Sequence, residues 1–465
     1  MSLPIIIHTK NYYDIMYEKV LLSKLDTSCL KDQFYTVLSV ELGNTTIKSI
    51  IVSTNIKTNR SYQINKAVYL TRNIRLPKDN ERVFGHTIWD KQLSKEAIEE
   101  TITRIILDSL GQVNLTVDDL DFVVRSTGVI AISNLSGEMG LIIKALSDAC
   151  LNAGIKPSQM TAPFVLDNIP EHIRNYSFFN TIKFDGSVVS VSPPDTTGVL
   201  SNEMEGDLVT AGIKLASKES SVDYRNPVVS IDMGTTLAGQ VTDNSKPYAN
   251  VVCNFVGLAG GISDVILRGC EIIETKQSTI DVENNEDATE YNHKQLHDNT
   301  IRLHEFIDIM EVPVKTKEFG LVCVSASDKI NTKVKIIGAK INDEKELVEN
   351  FKELVNTANI NEVMLQIDYI YSYYIKRLID ETEKLGLITK DMTIGITGRA
   401  GTTGNKPELI NKYLHGEYDI IFVEDGLSLG ALMMARCMNS LGTPINPIGG
   451  SRNGYCIMQQ RINKK

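Results

Sequence analysis

Two stretches of this chain, 191 residues apart, carry one pattern twice. "YTVLSVELGNTTIKSIIV" (Tyr35 to Val52) and "PVVSIDMGTTLAGQVT" (Pro227 to Thr242) each write an apolar strand, one carboxylate, a glycine and a pair of threonines. Glu41, Gly43 and Thr45 align with Asp232, Gly234 and Thr236. One such segment alone reads as an ordinary glycine turn between strands. Two in-register copies, each opening a long αβ series, predict a duplicated architecture in which both hairpins do the same work. With 465 residues the chain exceeds the roughly 250–300 at which a single core stops growing, so at least two domains are expected.

The rest of the chain sorts around those copies. Residues 1–34 read as a polar N-terminal arm without strand alternation, 35–226 as the first domain and 227–465 as the second. A polar, acidic insertion around 274–300 lacks large aliphatics and reads as a surface loop. Ser94 is a plausible N-cap for a helix whose Ile98, Ile102, Ile105 and Ile106 share one face. "DLDFVVRSTG" is a buried strand ending at Thr127-Gly128, followed by a helix over 139–153. Further on, a helix over 362–385 leads into the strand "MTIGIT", the glycine-rich "GRAGTTGNKP" and a last strand in "YDIIFVEDG". Gly426, Gly430, Ala431 and Ala435 give the closing helix a small-residue face, suited to a close helix crossing and a hinge contact between halves.

Each hairpin has a chemistry to match. A tight turn with glycine and hydroxyls forms a concavity for a phosphate chain, and a missing side chain at Gly43 or Gly234 lets phosphate approach the backbone. The preceding carboxylate cannot hold phosphate, but it can hold Mg²⁺ through water. The net charge of −10, with no basic block, argues against nucleic acid or an anionic membrane as partner. No run approaches the ~18 apolar residues of a membrane span, and the N-terminus has no secretory pattern. Seven scattered cysteines without a C-x-x-C suggest reduced thiols and a cytoplasmic protein.

Phosphate hairpin, strand ending in Thr127-Gly128, second phosphate hairpin, glycine-rich loop and small-residue helix follow one another in the motif order of the ASKHA superfamily, which includes actin, the heat-shock chaperone ATPases and sugar kinases. More closely, "VELGNTTIKSI", "VRSTG", "NEMEGDLVTAGIK", "RNPVVSIDMGTTLAG" and "GLAGGISDVILRG" resemble methanogenesis marker protein 14, a family of methanogenic archaea. The resemblance implies an α/β fold of two ribonuclease H-like (actin-like ATPase) domains with a nucleotide cleft between them. It implies ATP and Mg²⁺ as ligands, with Gly43, Asn44, Thr45 and Thr46 on phosphates in the first hairpin and Gly234, Thr235 and Thr236 in the second. Glu41 and Asp232 would order Mg²⁺ and its waters in a catalytic role, and Gly398, Arg399 and Gly401 would contact adenosine. Glu41 departs from the superfamily's usual Asp, and the second hairpin lacks the Gly-Gly of many relatives, which leaves hydrolysis open.

Three functions are compatible with that site. The first is an ATP-driven activator or reactivator, a chaperone-like switch acting on a methanogenesis-related cofactor enzyme. The others are a small-molecule kinase and a non-catalytic nucleotide-binding assembly subunit, and homo-oligomerisation stays open. For a kinase, "GGISD" offers Asp264 as a base, but after the second hairpin rather than before it, and Trp89-Asp90 is only an echo. Cys253 and Cys270 are read as buried thiols rather than iron–sulfur ligands. His293, His297 and His304 are read as a solvated helix face rather than a metal site, and Glu203, Glu205 and Asp207 as solvated loop carboxylates.

Overall fold

The computed structural model describes residues 6–8, 17–30, 34–55, 57–58, 60–86, 91–127, 139–160, 163–164, 184–185, 203–244, 251–282, 291–313, 318–319, 322–323, 334–356 and 358–433. The chain makes two compact units, the first from residues 1–5, 21–219 and 425–465, the second from 6–20 and 220–424. The chain passes from the first unit to the second at 219/220, and both of its ends depart from a simple division. The supposed arm contains two strands of the second unit, Ile6–His8 (β1) and Tyr17–Val20 (β2). In β2 the fully buried position is an acid, Glu18, which accepts from the backbone N–H of Ser221 at 3.1 Å and from its hydroxyl. A buried Glu in a short strand hides the alternation that would have marked it.

The first unit is built on the sheet β5-β4-β3-β8, with β3 Phe34–Leu42, β4 Thr46–Asn55, β5 Ser61–Leu70 and β8 Phe122–Thr127. A small pair, β6 Val83–His86 and β7 Gln92–Ser94, leads into helix α1, Lys95–Gly111. Ser94 Oγ accepts from Ala97 N at 3.1 Å, the expected N-cap. Helix α2, Met139–Asn152, lies with α1 on the sheet face that carries Leu38, Val40, Leu42 and Val123. A two-residue ladder joins Pro163–Phe164 (β9) and Phe184–Asp185 (β10). The carboxylates at 203–207 open helix α3, Glu203–Ala216, rather than a loop, and Glu205 is buried. A Cβ on Gly212 of α3 would lie 1.8 Å from Gly426 O, and one on Gly430 would lie 1.8 Å from Leu208 O. Thus the helix at 426–433 does cross a neighbour backbone to backbone, as its small residues suggest, and both helices belong to the first unit.

The second unit has one nine-stranded sheet in the order β1-β2-β19-β18-β11-β12-β13-β17-β14. Its strands are β11 Val228–Met233, β12 Thr236–Thr242, β13 Val251–Leu258, β14 Ile307–Glu311, β17 Lys335–Ile341, β18 Thr393–Thr397 and β19 Ile420–Val423. Beside it stands a minor pair, β15 Glu318–Phe319 and β16 Val322–Cys323. The helices are α4 Gly261–Gly269, α5 His293–Leu303, α6 Glu344–Leu354, α7 Ile360–Lys384, α8 Arg399–Thr402 and α9 Lys406–Tyr413. Most of the core packs between the sheet and α7, whose Ile367, Ile370, Tyr371, Tyr374, Ile375 and Leu378 are all buried. Parallel pairing of β2 with β19 covers what would otherwise be a bare edge.

The duplication in the sequence is a duplication of topology. Strands β5-β4-β3-β8 and β13-β12-β11-β18 share one order and one set of directions: a parallel pair preceded by two antiparallel steps. In the second unit β19 extends that series as a fifth strand, parallel to β18. The chain therefore adopts the expected α/β fold of two ribonuclease H-like units. Among the described residues no helix is long and apolar enough to cross a membrane.

The polar stretch around 274–300 contains α5, which buries Leu296, Thr300 and Leu303, and Gln366 of α7 donates to Leu296 O at 3.1 Å. Of the three histidines only His304 leaves the expected solvated face: His293 is exposed and His297 half-buried. His293 and His297 pair through Nδ1 with the hydroxyls of Tyr369 and Tyr413, at 2.9 and 2.8 Å. His304 is buried, and its Nε2 donates to Ile370 O at 2.9 Å. Arg377 donates to the other ring nitrogen at 3.2 Å, which fixes the neutral tautomer. Burial, with Arg377 adding to it, pushes His304 down from 6.5 to about 3. As pH falls below 6.5 the unfolded chain takes up this proton and the folded chain does not, so His304 costs stability progressively between pH 6.5 and about 3. The largest slope from this group is about 1.4 kcal/mol per pH unit. Urea titrations at pH 6.5 and 5.5 should show that loss in the wild type and a clearly smaller one in His304→Gln.

Candidate functional site

In an open sheet, ligands bind at the carboxyl ends of two parallel strands whose connections leave in opposite directions. In the second unit that place lies between β11 and β18. From β11 the chain turns to β12 on one side, and from β18 it proceeds to β19 on the other. Asp232 is opposite Thr397 in the parallel register, so the hairpin carboxylate and the start of the glycine-rich loop arrive side by side. Neighbouring Ile231 and Met233 point into the core, which turns Asp232 to the opposite face. Its side chain is 8% exposed.

Gly398 is why the two loops can be so close. Its φ is +84°, and a Cβ there would lie 2.4 Å from Asp232 Oδ1 and 2.4 Å from Met233 C. Any larger residue would displace the carboxylate. Arg399 and Gly401 follow in the single turn of α8, Arg399 exposed and Gly401 buried against Ile396 and Met233.

A third loop, over 258–261, braces the hairpin turn. Ala259 N and Gly261 N both donate to Thr235 O at 3.0 Å, and Gly260 N donates to Gly234 O at 2.7 Å. Those amides at the start of α4 are thus taken by the hairpin. Helix α7 holds the loop from behind: Tyr371 Oη donates to Ala259 O at 3.0 Å, and Tyr374 Oη to Leu258 O at 2.9 Å. One turn earlier Asp368 meets Lys406 Nζ at 2.5 Å and accepts from Asn405 N at 2.7 Å, which ties the glycine-rich loop to the same helix. Asp368, Tyr371 and Tyr374 recur every three residues on one helix face, a pattern the sequence offered only as amphipathic.

In the first unit the corresponding parallel pair is β3 and β8, and Glu41 is opposite Ser126. Gly43 N donates to Thr46 O at 2.9 Å to close the turn. Thr71 fixes it from outside, its hydroxyl on Asn44 O at 2.8 Å and its N–H on Thr45 O at 3.0 Å. Glu41 shares its sheet face with Lys48, whose Nζ lies 3.9 Å from the carboxylate. Ser428 Oγ donates to Glu41 Oε2 at 2.7 Å. Lys48 is the basic group at this hairpin that sequence reading missed, although its place seven residues after Glu41 put it on the hairpin's second strand. Arg125 of "VRSTG" turns the other way: it is buried and donates to Ser147 of α2 at 2.6 Å, a strut between sheet and helix.

The remaining candidates have structural tasks. Asp264 is buried, and it accepts from Thr279 N and Oγ1 at 2.7 Å each, so it holds the turn after α4. Burial raises its pKa. Cys253 is a buried free thiol inside β13, pushed up by burial, and Cys270 is a half-buried free thiol at the end of α4. No group of three or more His, Cys, Asp or Glu suited to a metal occurs among the described residues. Trp89-Asp90, Gly128 and Ala435 lie outside the described residues.

Relatives extend over nearly the whole chain. An uncharacterized protein of Methanothermobacter thermautotrophicus is 45% identical over 438 residues, 92% of this chain and 83% of that protein. One from Methanocaldococcus jannaschii is 45% identical over 449 residues, 93% of this chain and 91% of its own length. Similar solved structures include ethanolamine utilization protein EutJ from Carboxydothermus hydrogenoformans, at 11% identity over 87% of this chain and 90% of that one, TM-score 0.37. A reductive activator for corrinoid, iron-sulfur protein is similar at 11% identity over 87% and 61%, TM-score 0.36. Gluconate kinase from Lactobacillus acidophilus is similar at 10% identity over 89% and 91%, TM-score 0.38. With two 45% identical relatives and a family match that runs over residues 34–465, this chain belongs to the family described as "Uncharacterized protein conserved in archaea (DUF2114)".

Proposed function

We propose that this protein is an ATP-binding member of the ASKHA superfamily, of the methanogenesis marker protein 14 type. In this reading it acts as an ATP-driven activator or reactivator of a methanogenesis-related enzyme. The observation that carries it is the meeting of Asp232, the Gly234-Thr235 turn and Gly398 at the switch point between β11 and β18. A hairpin with backbone amides and hydroxyls suits a phosphate chain, and a glycine without a side chain beside it suits a flat base or ribose. Gly234, Thr235 and Thr236 take phosphate in the second unit, with Gly398, Arg399 and Gly401 at the adenosine. Gly43, Asn44, Thr45 and Thr46 take phosphate in the first unit, with Lys48 as cation.

Asp232 suits the metal side of an ATP–Mg²⁺ complex: a carboxylate at the site's edge that can hold the hydrated ion through water. Bound Mg²⁺ would neutralise phosphate charge, and the chain's own part is to orient the nucleotide and exclude competing geometries. The output is a change of conformational state in a partner rather than a phosphorylated product. Asp264, the candidate kinase base, is taken up by Thr279, and this favours the switch over the kinase.

Calorimetric titration with ATP tests the site. Wild type should bind in a Mg²⁺-dependent manner, and Asp232→Ala should weaken binding by about 10–100-fold, the usual effect of losing a group that orders a metal's shell. Unchanged binding in Asp232→Ala would move the site elsewhere. A small acceptor that gains the γ-phosphate would replace the switch reading with the kinase.

A further inference from the structure

We infer that Glu41 is a positioning residue that clamps the segment 425–433 onto the first sheet, and that it is not a metal-side carboxylate. The sequence sets Glu41 beside Asp232 as one of a pair, but their surroundings differ. Glu41 is 7% exposed, its Oε2 accepts from Ser428 Oγ at 2.7 Å, and Lys48 Nζ lies 3.9 Å away. Lys48 in turn lies 3.7 Å from Asp425 Oδ1, and Asp425 Oδ2 pairs with Lys66. Side chains of β3, β4 and β5, Glu41, Lys48 and Lys66, therefore make three contacts that end on residues 425 and 428, with charges that alternate along Glu41, Lys48, Asp425 and Lys66. An ammonium so close to Glu41 repels a dication and already supplies the counter-charge.

The clamp also gives a reason for glutamate. Shortening the arm by one methylene withdraws the carboxylate by about 1.5 Å. The Ser428 contact would then open to roughly 4 Å, beyond hydrogen-bond range. Aspartate satisfies a metal-side role and cannot reach Ser428; glutamate can. Asp425 is where the chain enters the first unit from Glu424, so the segment held in this way begins at a change of unit. Its backbone there has φ +56°, a conformation that the two lysines hold in place from the side-chain end.

The two roles rank substitutions in opposite order. A clamp needs length and a hydrogen-bond acceptor, so Glu41→Gln keeps it and Glu41→Asp loses it. A metal-side carboxylate needs charge, so Glu41→Asp would keep it and Glu41→Gln would lose it. Hydrogen exchange of peptides covering 426–433 in the nucleotide-free full chain reads the clamp directly. Glu41→Asp and Ser428→Ala should speed exchange there by about tenfold, the weight of one hydrogen bond to a charged group. Glu41→Gln should remain within about threefold of wild type, since a neutral acceptor replaces the charged one. If Glu41→Asp does not fold, Ser428→Ala still reads the contact. Exchange in Glu41→Gln as fast as in Glu41→Asp, or no change in Ser428→Ala, overturns the inference.

A second arm, the Mg²⁺ dependence of ATP binding, rests on the nucleotide reading. It should persist in Glu41→Gln, and its loss with unchanged exchange would restore the metal-side role. A wild type that binds no ATP would sink the nucleotide reading alone, and the exchange arm would still decide the clamp.

Discussion

Asp368→Ala should destabilise the second unit by about 3–5 kcal/mol, the usual result of removing one partner from a buried ion pair. The side chains of Asp368 and Lys406 are 3% and 6% exposed, so neither charge has water to fall back on. After the substitution Lys406 would retain Thr403 O at 3.1 Å as an acceptor but no counter-charge within the pair. Asn405 N would lose its 2.7 Å acceptor as well. Lys406→Met should cost less, because Asp368 would still accept from Asn405 N. The double variant Asp368→Leu/Lys406→Met should recover most of the loss, since apolar groups of similar volume often replace a buried pair at little cost. Urea unfolding of the four proteins measures this, and equal losses in the two single variants would contradict it. Because Asp368 also ties the glycine-rich loop to α7, on the proposed nucleotide reading the single variant should weaken ATP binding even where it remains folded.

The helix crossing in the first unit is the second sensitive place. Gly430→Ala and Gly212→Ala should each destabilise the first unit, although alanine is the better helix former by about 1 kcal/mol. That gain is outweighed because each new methyl meets a carbonyl oxygen at 1.8 Å, a backbone atom that no rotamer change can move aside. Overpacking of this kind costs about 1–3 kcal/mol, and more when backbone must shift. The helices can respond only by separating. One separation relieves both clashes, so the double variant should cost clearly less than the sum of the single ones. Thermal unfolding of the three variants checks both the sign and the non-additivity. A stabilised Gly430→Ala would mean that the helices do not touch there.

Much of the fold could be read directly. Strand, carboxylate, glycine and threonines fall within a dozen residues, and such local spacing survives in any tertiary context. The same holds for α1, where Ser94 and four isoleucines at helical spacing marked both cap and core face. Strand β2 was missed because its fully buried residue is Glu18, and a charged letter in a short strand reads as surface. Polarity misled in the same way at α5, where a stretch read as a surface loop is a helix that buries Leu296, Thr300 and Leu303.

By itself the sequence determined the duplication, the α/β class, the turn residues and the pairing of Glu41 with Asp232. Only the tertiary structure decided that this pair is not equivalent. Asp232 abuts Gly398, 166 positions later in the chain, while Glu41 reaches Ser428, separated by 387. Local pattern records which groups a segment carries. Which carboxylate reaches Ser428, and which lies against Gly398, depends on what the rest of the fold brings to each sheet face.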